Sequence, residues 1–157
     1  MSRQAEKYHL SLAGEFYVAA ELQRRGISAA VTFGNAKKAD VVAFSGGSHA
    51  VAIEVKSTPG LRWVVGGSVP RASPDPWVFV RVPEAATEAP SFYVLNQAQL
   101  FDILSPVDVA YRRSYLAKHG EEYGERRGVV NLSRDAAEPY RDRWQTIIDL
   151  LKTGPSA

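Results

Sequence analysis

The sequence contains no cysteine and no long run of apolar residues. Without cysteine, the protein has no disulfide, no thiolate metal ligand and no cysteine nucleophile. No segment reaches the roughly 18 consecutive apolar residues that indicate a membrane-spanning helix. The amino-terminal stretch MSRQAEKYHLSLAGE also lacks the apolar core of a signal peptide. Together these absences predict a protein without membrane segments that works in the cytoplasm.

A large excess of one charge is missing as well. The 19 Lys and Arg residues and 17 Asp and Glu residues leave a formal net charge of +2. Such a small charge does not indicate nucleic-acid binding by itself, so the basic groups of a nucleic-acid binder would have to be arranged locally. The length of 157 residues favours one domain. We expect a single domain over 1–157, with a core of about 6–105 and a C-terminal helical extension of about 106–152.

Hydrophobic periodicity predicts a helix, three consecutive strands, two further strands and then more helices. The first helix covers 6–25 and ends at Gly26, and a helix over 97–104 stops at Pro106. The segment 61–65 either continues a strand or crosses over. This order indicates an α/β fold with a central mixed five-stranded sheet flanked by helices. The predicted strands cover 27–33, 39–44, 49–56, 77–82 and 91–95, and the later helices cover 109–119, capped by Asp108, and 141–152.

One predicted strand, HAVAIEVK at 49–56, places charged side chains inside an apolar run. The alternation of a strand puts Glu54 and Lys56 on one face and the apolar side chains on the other. Burying charges is costly unless they are paired or bound to an ion. Asp40 opens the preceding strand, and the turn SGGS returns the chain. We therefore expect Asp40 and Glu54 to lie at the same end of a hairpin.

Two neighbouring carboxylates repel each other unless a cation lies between them. Mg²⁺ is the expected cation, because it prefers oxygen ligands and needs only one or two protein carboxylates. Lys56 lies further along the face that carries Glu54. There its ammonium group could orient or deprotonate a water that attacks phosphorus, or neutralise charge in the transition state.

The first helix adds another carboxylate. With about 100° per residue, Glu15 falls within an apolar arc formed by Leu12, Phe16, Ala19 and Leu22. A glutamate on the buried face of a helix needs an explanation. Coordination of the same metal, directly or through water, is one.

Glu15 in GEFYVAAELQRRG, Asp40 in KKADVVAF and Glu54-Val55-Lys56 in VAIEVKST together resemble the PD-(D/E)XK nuclease superfamily. This superfamily has the restriction-endonuclease-like fold and includes archaeal Holliday-junction resolvases. The resemblance covers about residues 10–58, and Ala39 stands where the name-giving proline would be. Residues 96–157 match no pattern that we can name, so the resemblance implies nothing about substrate choice.

The resemblance implies a site and a reaction. Asp40 and Glu54 would bind the metal together with the backbone carbonyl of Val55. Lys56 would be the active-site lysine, and Glu15 would complete the metal shell, with or without an intervening water. The reaction would be hydrolysis of phosphodiester bonds in DNA with Mg²⁺, or with Mn²⁺ in its place, in a restriction, repair or defence setting. Because many nucleases of this superfamily dimerise to cut both strands, a homodimer would also fit.

Residues beside the motif are candidates for nucleic-acid contacts. Trp63 could stack on a base, although a core tryptophan is the slightly simpler interpretation. Farther along, basic side chains alternate with tyrosines as on a nucleic-acid surface, but the glutamates among them favour a salt-bridged helical face. The candidate phosphate contacts are Lys37, Lys38, Ser57, Thr58 and Arg62. The later segment contains Tyr111, Arg112, Arg113, Tyr115, Lys118, Tyr123, Arg126 and Arg127.

The sequence leaves three functions open. The first is a Mg²⁺-dependent DNA nuclease. The second is a catalytically silent module of the same fold that binds nucleic acid or a protein partner. The third, a small immunity or antitoxin-like partner, is suggested by size alone. Metal binding that depends on Asp40 would separate the first from the second.

Overall fold

The computed structural model describes residues 2–33, 39–46, 49–124 and 128–153, which form two sheets and four α-helices. In chain order the elements are α1 (Arg3–Arg24), β1 (Ser28–Val31), β2 (Val41–Phe44), β3 (Ala50–Thr58), β4 (Arg62–Gly66), β5 (Pro76–Arg81), β6 (Ser91–Asn96), α2 (Gln97–His119), β7 (Val130–Ser133), α3 (Arg134–Ala137) and α4 (Gln145–Thr153). None of the described helices is long and apolar enough to cross a membrane.

Helix α1 begins earlier than predicted because its first turn is capped. The Oγ of Ser2 accepts a hydrogen bond from the backbone N–H of Ala5 at 3.2 Å. Such a cap satisfies an N–H that has no partner within the helix, so the helix begins at Arg3 rather than at residue 6. After its last turn, Gly26 has a φ of 74°. Glycine adopts this left-handed conformation freely, and it ends the helix as predicted.

The larger sheet confirms the predicted α/β fold with a central mixed five-stranded sheet. Its strand order is β1-β2-β3-β5-β6. Strands β3 and β5 are parallel, and the other neighbouring pairs are antiparallel. In the β2–β3 hairpin, Val41 pairs with Ile53 and Phe44 with Ala50. This register brings the start of β2 and the end of β3 to the same end of the hairpin.

The segment 61–65 leaves the larger sheet. Its strand, β4, pairs with β7 in a second, two-stranded sheet, with Trp63 opposite Leu132. Strand β7 lies within 106–152, so the predicted C-terminal extension contains a strand as well as helices. The four residues of β7, VNLS, alternate apolar and polar, but a strand this short gives a weak local signal.

The predicted helix break at Pro106 is wrong, because α2 runs through it. A proline inside a helix removes the hydrogen bond to the carbonyl four residues earlier, which here belongs to Asp102. Both residues are exposed, so water can satisfy that carbonyl. Asp108, which was expected to cap a new helix, instead accepts a hydrogen bond from Nε of Arg112 at 2.8 Å.

The two faces of the larger sheet pack against different cores. The face under α1 and α4 is mostly aliphatic, and the face under α2 and the small sheet, called the aromatic face below, contains a cluster of four large aromatic rings. The terminal helix, predicted at 141–152, begins at Gln145, because Arg141 forms a β-bridge with Tyr93 and Asp142 has a non-helical φ of 51°. The aliphatic core includes Val18, Leu22, Val41, Ile53, Val55, Val78 and Val80, and the aromatic core includes Trp63, Trp77, Phe79 and Tyr93.

Candidate active site

Asp40 lies directly before β2, where its backbone is held from two sides. Its N–H donates to the carbonyl of Ile53 at 3.0 Å, and its carbonyl accepts from the N–H of Thr32 at 2.9 Å. Its carboxylate oxygen Oδ2 accepts a hydrogen bond from the backbone N–H of Val55 at 2.8 Å. Strand β2 begins only at Val41. The N–H of Val55 therefore bonds to the side chain of Asp40 instead of to a backbone carbonyl of β2.

The surroundings raise the pKa of Asp40 above its usual value. Burial of the carboxylate is the largest cause, and the negative charge of Glu54 raises the pKa further. The N–H of Val55 and the ammonium group of Lys56 lower it in part. Since burial and a like charge both disfavour the ionised carboxylate, a cation at this position would stabilise it.

Glu54 and Lys56 form an ion pair on the aromatic face of the sheet. Nζ of Lys56 lies 2.6 Å from Oε1 of Glu54, and each side chain is 30% exposed. The ammonium group also lies 5.5 Å from the ring centroid of Trp77, within the range of cation–π contacts. The strand tolerates two charges because each is paired and neither is fully removed from water.

Trp77 is a neighbour of the candidate site that the sequence analysis missed. The register of β3 and β5 sets it opposite Glu54. Its indole N–H donates to Oε1 of Gln97 at 3.0 Å, and its ring stacks on Phe79 with 5.9 Å between centroids. The ring therefore has a fixed position beside Lys56. The pattern WVFVRV predicts only a buried strand, and the parallel neighbour of that strand cannot be read from it.

Glu15 lies at the border of the buried face of α1 rather than within it. The fully buried residues of this helix are Gly14, Val18 and Leu22, whereas Phe16 is 50% exposed. The predicted apolar arc is therefore wrong in its direction around the helix. The reason is Gly14, which packs tightly against Ser57 of the sheet but has no apolar side chain to indicate it.

The carboxylate of Glu15 is electrostatically linked to Asp40. Its pKa is raised, first by partial burial and then by the charge of Asp40. The hydroxyl of Ser11, which donates to Oε1 at 3.4 Å, opposes this shift. Since Glu54 in turn acts on Asp40, the three predicted acids form a series with Asp40 in the middle.

The described acids of the site are not close enough together to bind one metal ion as a group of three. In the described ranges, no group of three or more His, Asp or Glu side chains could hold a metal ion. Mg²⁺ needs fewer, because it is bound by one or two carboxylates and keeps several waters. The N–H and C=O of one strand residue point to the same side, so the Val55 carbonyl points towards Asp40, as its N–H does. The Asp40 carboxylate and this carbonyl therefore fit the oxygen donors that Mg²⁺ takes.

A groove of 840 Å³ adjoins these residues. Asp40, Val55 and Lys56 line it from the sheet, and Arg62 lines it from β4. The first turns of α1 contribute further basic groups. The acidic residues Glu6, Asp40 and Glu84 also line the groove, which leaves a small excess of positive charge to attract a polyanion such as DNA. The basic residues from α1 are Arg3 and Lys7.

Two of the predicted phosphate contacts, Thr58 and Arg62, line this groove. Ser57 borders it as well, but its hydroxyl is turned inward. Its Oγ is buried without a hydrogen-bond partner among the described residues, at the point where α1 passes at Gly14. A hydroxyl that is closed off from solvent does not reach a phosphate in the groove. The predicted contact of Ser57 therefore conflicts with its burial.

Trp63 is a core residue, as the simpler interpretation predicted. Its side chain is buried, and its indole N–H donates to the carbonyl of Val80 at 2.9 Å. Its ring meets Phe79 and Tyr93 edge-on. It therefore stabilises the aromatic core and presents no face to a base.

The segment rich in tyrosine and arginine forms a cluster at the end of α2. The ring of Tyr123 meets Tyr111 and Tyr115 edge-on, with 5.0 Å between centroids in both pairs. Arg112 pairs with Asp108 at 2.8 Å and lies 5.6 Å from the Tyr123 ring. These contacts favour the structural interpretation, with Asp108 as the acid. Of the basic residues named from the sequence, Lys37, Lys38, Arg126 and Arg127 lie outside the described residues.

Comparison with known proteins shows similarity of structure but not of sequence. No family model matches the sequence, and none of the curated proteins compared with it is a significant match. Among solved structures, the chain is similar to Hjc, a Holliday junction resolvase from the archaeal hyperthermophile Archaeoglobus fulgidus. The two have 15% sequence identity and a TM-score of 0.45, over 82% of this chain and 88% of that chain. An archaeal resolvase is thus among the structures that this chain resembles, as expected from the sequence.

Proposed function

We propose that this chain is a metal-dependent nuclease that hydrolyses phosphodiester bonds in DNA. The observation that supports this most is the position of Asp40. The Val55 N–H donates to its carboxylate at 2.8 Å. The charge of Glu54 raises the pKa of Asp40, and the charge of Asp40 raises the pKa of Glu15. This arrangement attracts a cation, and the basic groove beside it attracts a polyanion.

The residues divide into metal ligands and a positively charged group. Asp40, Glu54 and the Val55 carbonyl would hold Mg²⁺, with Glu15 acting through a water, and we expect Mn²⁺ to substitute. When bound, the ion polarises the phosphodiester and lowers the pKa of a coordinated water. Lys56, which Glu54 holds at 2.6 Å, would orient the attacking water. Its charge would also stabilise the negative charge that develops on the phosphate oxygens.

Two substitutions test the assignment. Lys56→Ala and Asp40→Asn should each reduce the nicking of supercoiled plasmid DNA in Mg²⁺ by at least about 10²-fold, the effect of removing one transition-state-stabilising group. Calorimetric titration with Mn²⁺ separates their roles. Lys56→Ala should still bind the ion, whereas Asp40→Asn should not. Lys118→Ala is the matched control, because Lys118 is exposed on α2 and does not line the groove. Unchanged nicking by both site variants would contradict the proposal.

A second function, the catalytically silent module that binds nucleic acid or a protein partner, is favoured by two observations. Glu54 already has a partner in Lys56, and no three acids among the described residues form a metal site. If Mn²⁺ titration shows no binding that depends on Asp40, this function replaces the first. A homodimer stays a prediction, which sedimentation equilibrium would test.

A further inference from the structure

Three large aromatic rings are exposed near the carboxylates of Glu15 and Asp40. Tyr8 is 61% exposed, Phe16 50% and Phe33 73%. Phe33 follows β1, and its ring centroid lies 6.4 Å from that of Phe16. Single exposed apolar residues are common on protein surfaces, whereas neighbouring ones indicate a binding surface.

Two of these rings line a cleft that ends at the proposed metal ligands. Tyr8 and Phe33 line a cleft of 190 Å³, and Glu15 and Asp40 line the same cleft. This volume is below the roughly 300–1,000 Å³ of sites for drug-sized molecules. The cleft therefore suits one planar ring rather than a whole nucleotide.

The cleft is continuous with the basic groove. Ser11 and Asp40 line both the cleft and the groove of 840 Å³. The groove has cationic side chains of the kind that bind phosphates, and the described lining residues of the cleft include aromatic rings but no lysine or arginine. This division matches a nucleic-acid strand, in which charged phosphates and flat bases lie on opposite sides of the sugar.

We propose that Tyr8 and Phe33 form a stacking platform for an unpaired nucleobase of the strand whose phosphates lie in the groove. This inference rests on the proposed function and specifies its substrate class, which is DNA with a single-stranded segment beside the cut. In a continuous duplex each base is stacked between its neighbours, and its flat face is not available to a protein ring. An unpaired base can turn outward and stack on tyrosine or phenylalanine, whatever its sequence.

A fluorescent base tests the platform directly. 2-Aminopurine loses fluorescence when it stacks, so a single-stranded oligonucleotide that contains it should be quenched by the wild-type protein. Phe33→Leu combined with Tyr8→Leu should remove the quench and weaken single-strand binding by about 5- to 150-fold. Binding of the matching duplex should not change. The titrations are done in EDTA, so that the DNA stays intact and the result does not depend on cleavage.

Phe44→Leu is the matched control. Its ring is 43% exposed and lies at the opposite end of β2 from Asp40, so this variant should bind both DNAs as the wild type does. Circular dichroism should show that all three substitutions leave the fold intact, because the rings are exposed.

Three results would overturn the inference: no loss in the Tyr8 and Phe33 variant, an equal loss for duplex, or the same loss in Phe44→Leu. Failure of the proposed function gives a different result. In that case Asp40→Asn and Lys56→Ala would nick plasmid like the wild type, while the quench would still depend on Phe33.

Discussion

The two faces of the larger sheet differ in the kind of contact that covers them. On the aliphatic face, α1 passes so near β3 that a Cβ at Gly14 would lie 1.8 Å from Oγ of Ser57. On the aromatic face, the Trp63 ring meets Phe79 and Tyr93 at centroid distances of 5.7 and 5.2 Å. Glu54 and Lys56 are on the aromatic face, and Glu15 is on the helix that covers the aliphatic one.

This difference explains where the charges lie. An aromatic ring attracts a cation to its face, which an aliphatic side chain cannot do, and Lys56 lies beside Trp77. The aliphatic face contributes close packing instead. Because Gly14 brings α1 against β3, the next residue, Glu15, lies at the edge of the contact near Asp40. One face therefore holds the lysine, and the other fixes a carboxylate.

The largest expected effect comes from breaking the close packing. In Gly14→Val, the added side chain meets the Oγ and Cβ of Ser57 and approaches the Cβ of Val80, so α1 has to move away from the sheet. Overpacking of this kind should lower the free energy of unfolding by about 2–3 kcal/mol. Denaturation in urea measures the loss. Nicking activity should fall as well, because Glu15 moves with the helix.

A neighbouring position on the same helix provides the control. Ala20 is exposed on α1, so Ala20→Val has the same β-branched side chain without the clash and should cost only about 0.5 kcal/mol. Adding Ser57→Ala to Gly14→Val should restore part of the stability, because it removes the nearest atom. If Gly14→Val were as stable as Ala20→Val, the contrast in packing between the two faces would be wrong.

A smaller effect is expected on the aromatic face. Trp77→Leu removes the ring beside Lys56 and with it a cation–π contact of about 0.5–2 kcal/mol. If the ring positions the ammonium group for the reaction, kcat should fall by about 2- to 30-fold with little change in KM. Trp77→Phe keeps a smaller aromatic ring and loses the hydrogen bond to Gln97, so it should retain most of the activity. A raised KM with unchanged kcat in Trp77→Leu would show that the ring contacts DNA instead of positioning Lys56.

The sequence predicted those parts of the fold that depend on neighbouring segments. Asp40 and Glu54 lie on two strands joined by one short turn, so their shared end of the hairpin follows from the local pattern. Strands β3 and β5 are separated by β4, which joins a different sheet. Their parallel pairing, and hence the place of Trp77, depends on contacts that no local pattern contains.

Two other differences have local causes that hydropathy does not measure. Gly14 lies on the buried side of α1 because it is small, and hydropathy does not register size. The predicted apolar arc, which included Phe16, was therefore centred on the wrong side of the helix. Pro106 is a helix breaker when its lost hydrogen bond is buried. Here the freed carbonyl belongs to the exposed Asp102, so the helix continues.

The smallest expected effect concerns Glu15 and Asp40, whose pKa values are raised in the folded chain. Such a carboxyl binds its proton more tightly when folded. Its contribution to stability is therefore present below the unfolded pKa and is lost as the pH rises through the folded pKa. At about pH 7 the ionised Asp40 should destabilise the fold. Asp40→Asn keeps an oxygen that can accept from the Val55 N–H, so it should raise Tm by about 2–4 °C at most, since a half-exposed charge costs about 1 kcal/mol or less.

Scanning calorimetry over a range of pH tests this sign. The difference in Tm between wild type and Asp40→Asn should vanish below the ordinary pKa of 3.8, where both side chains are neutral. Asp102→Asn, a change at an exposed position of α2, is the control and should show no such dependence. Mg²⁺ should then raise the Tm of the wild type at neutral pH, because an ion that binds only the folded chain stabilises it, and should leave Asp40→Asn unchanged. A lower Tm for Asp40→Asn at neutral pH without Mg²⁺ would mean that the ionised carboxylate already stabilises the fold, and the electrostatic reason for a cation at Asp40 would be lost.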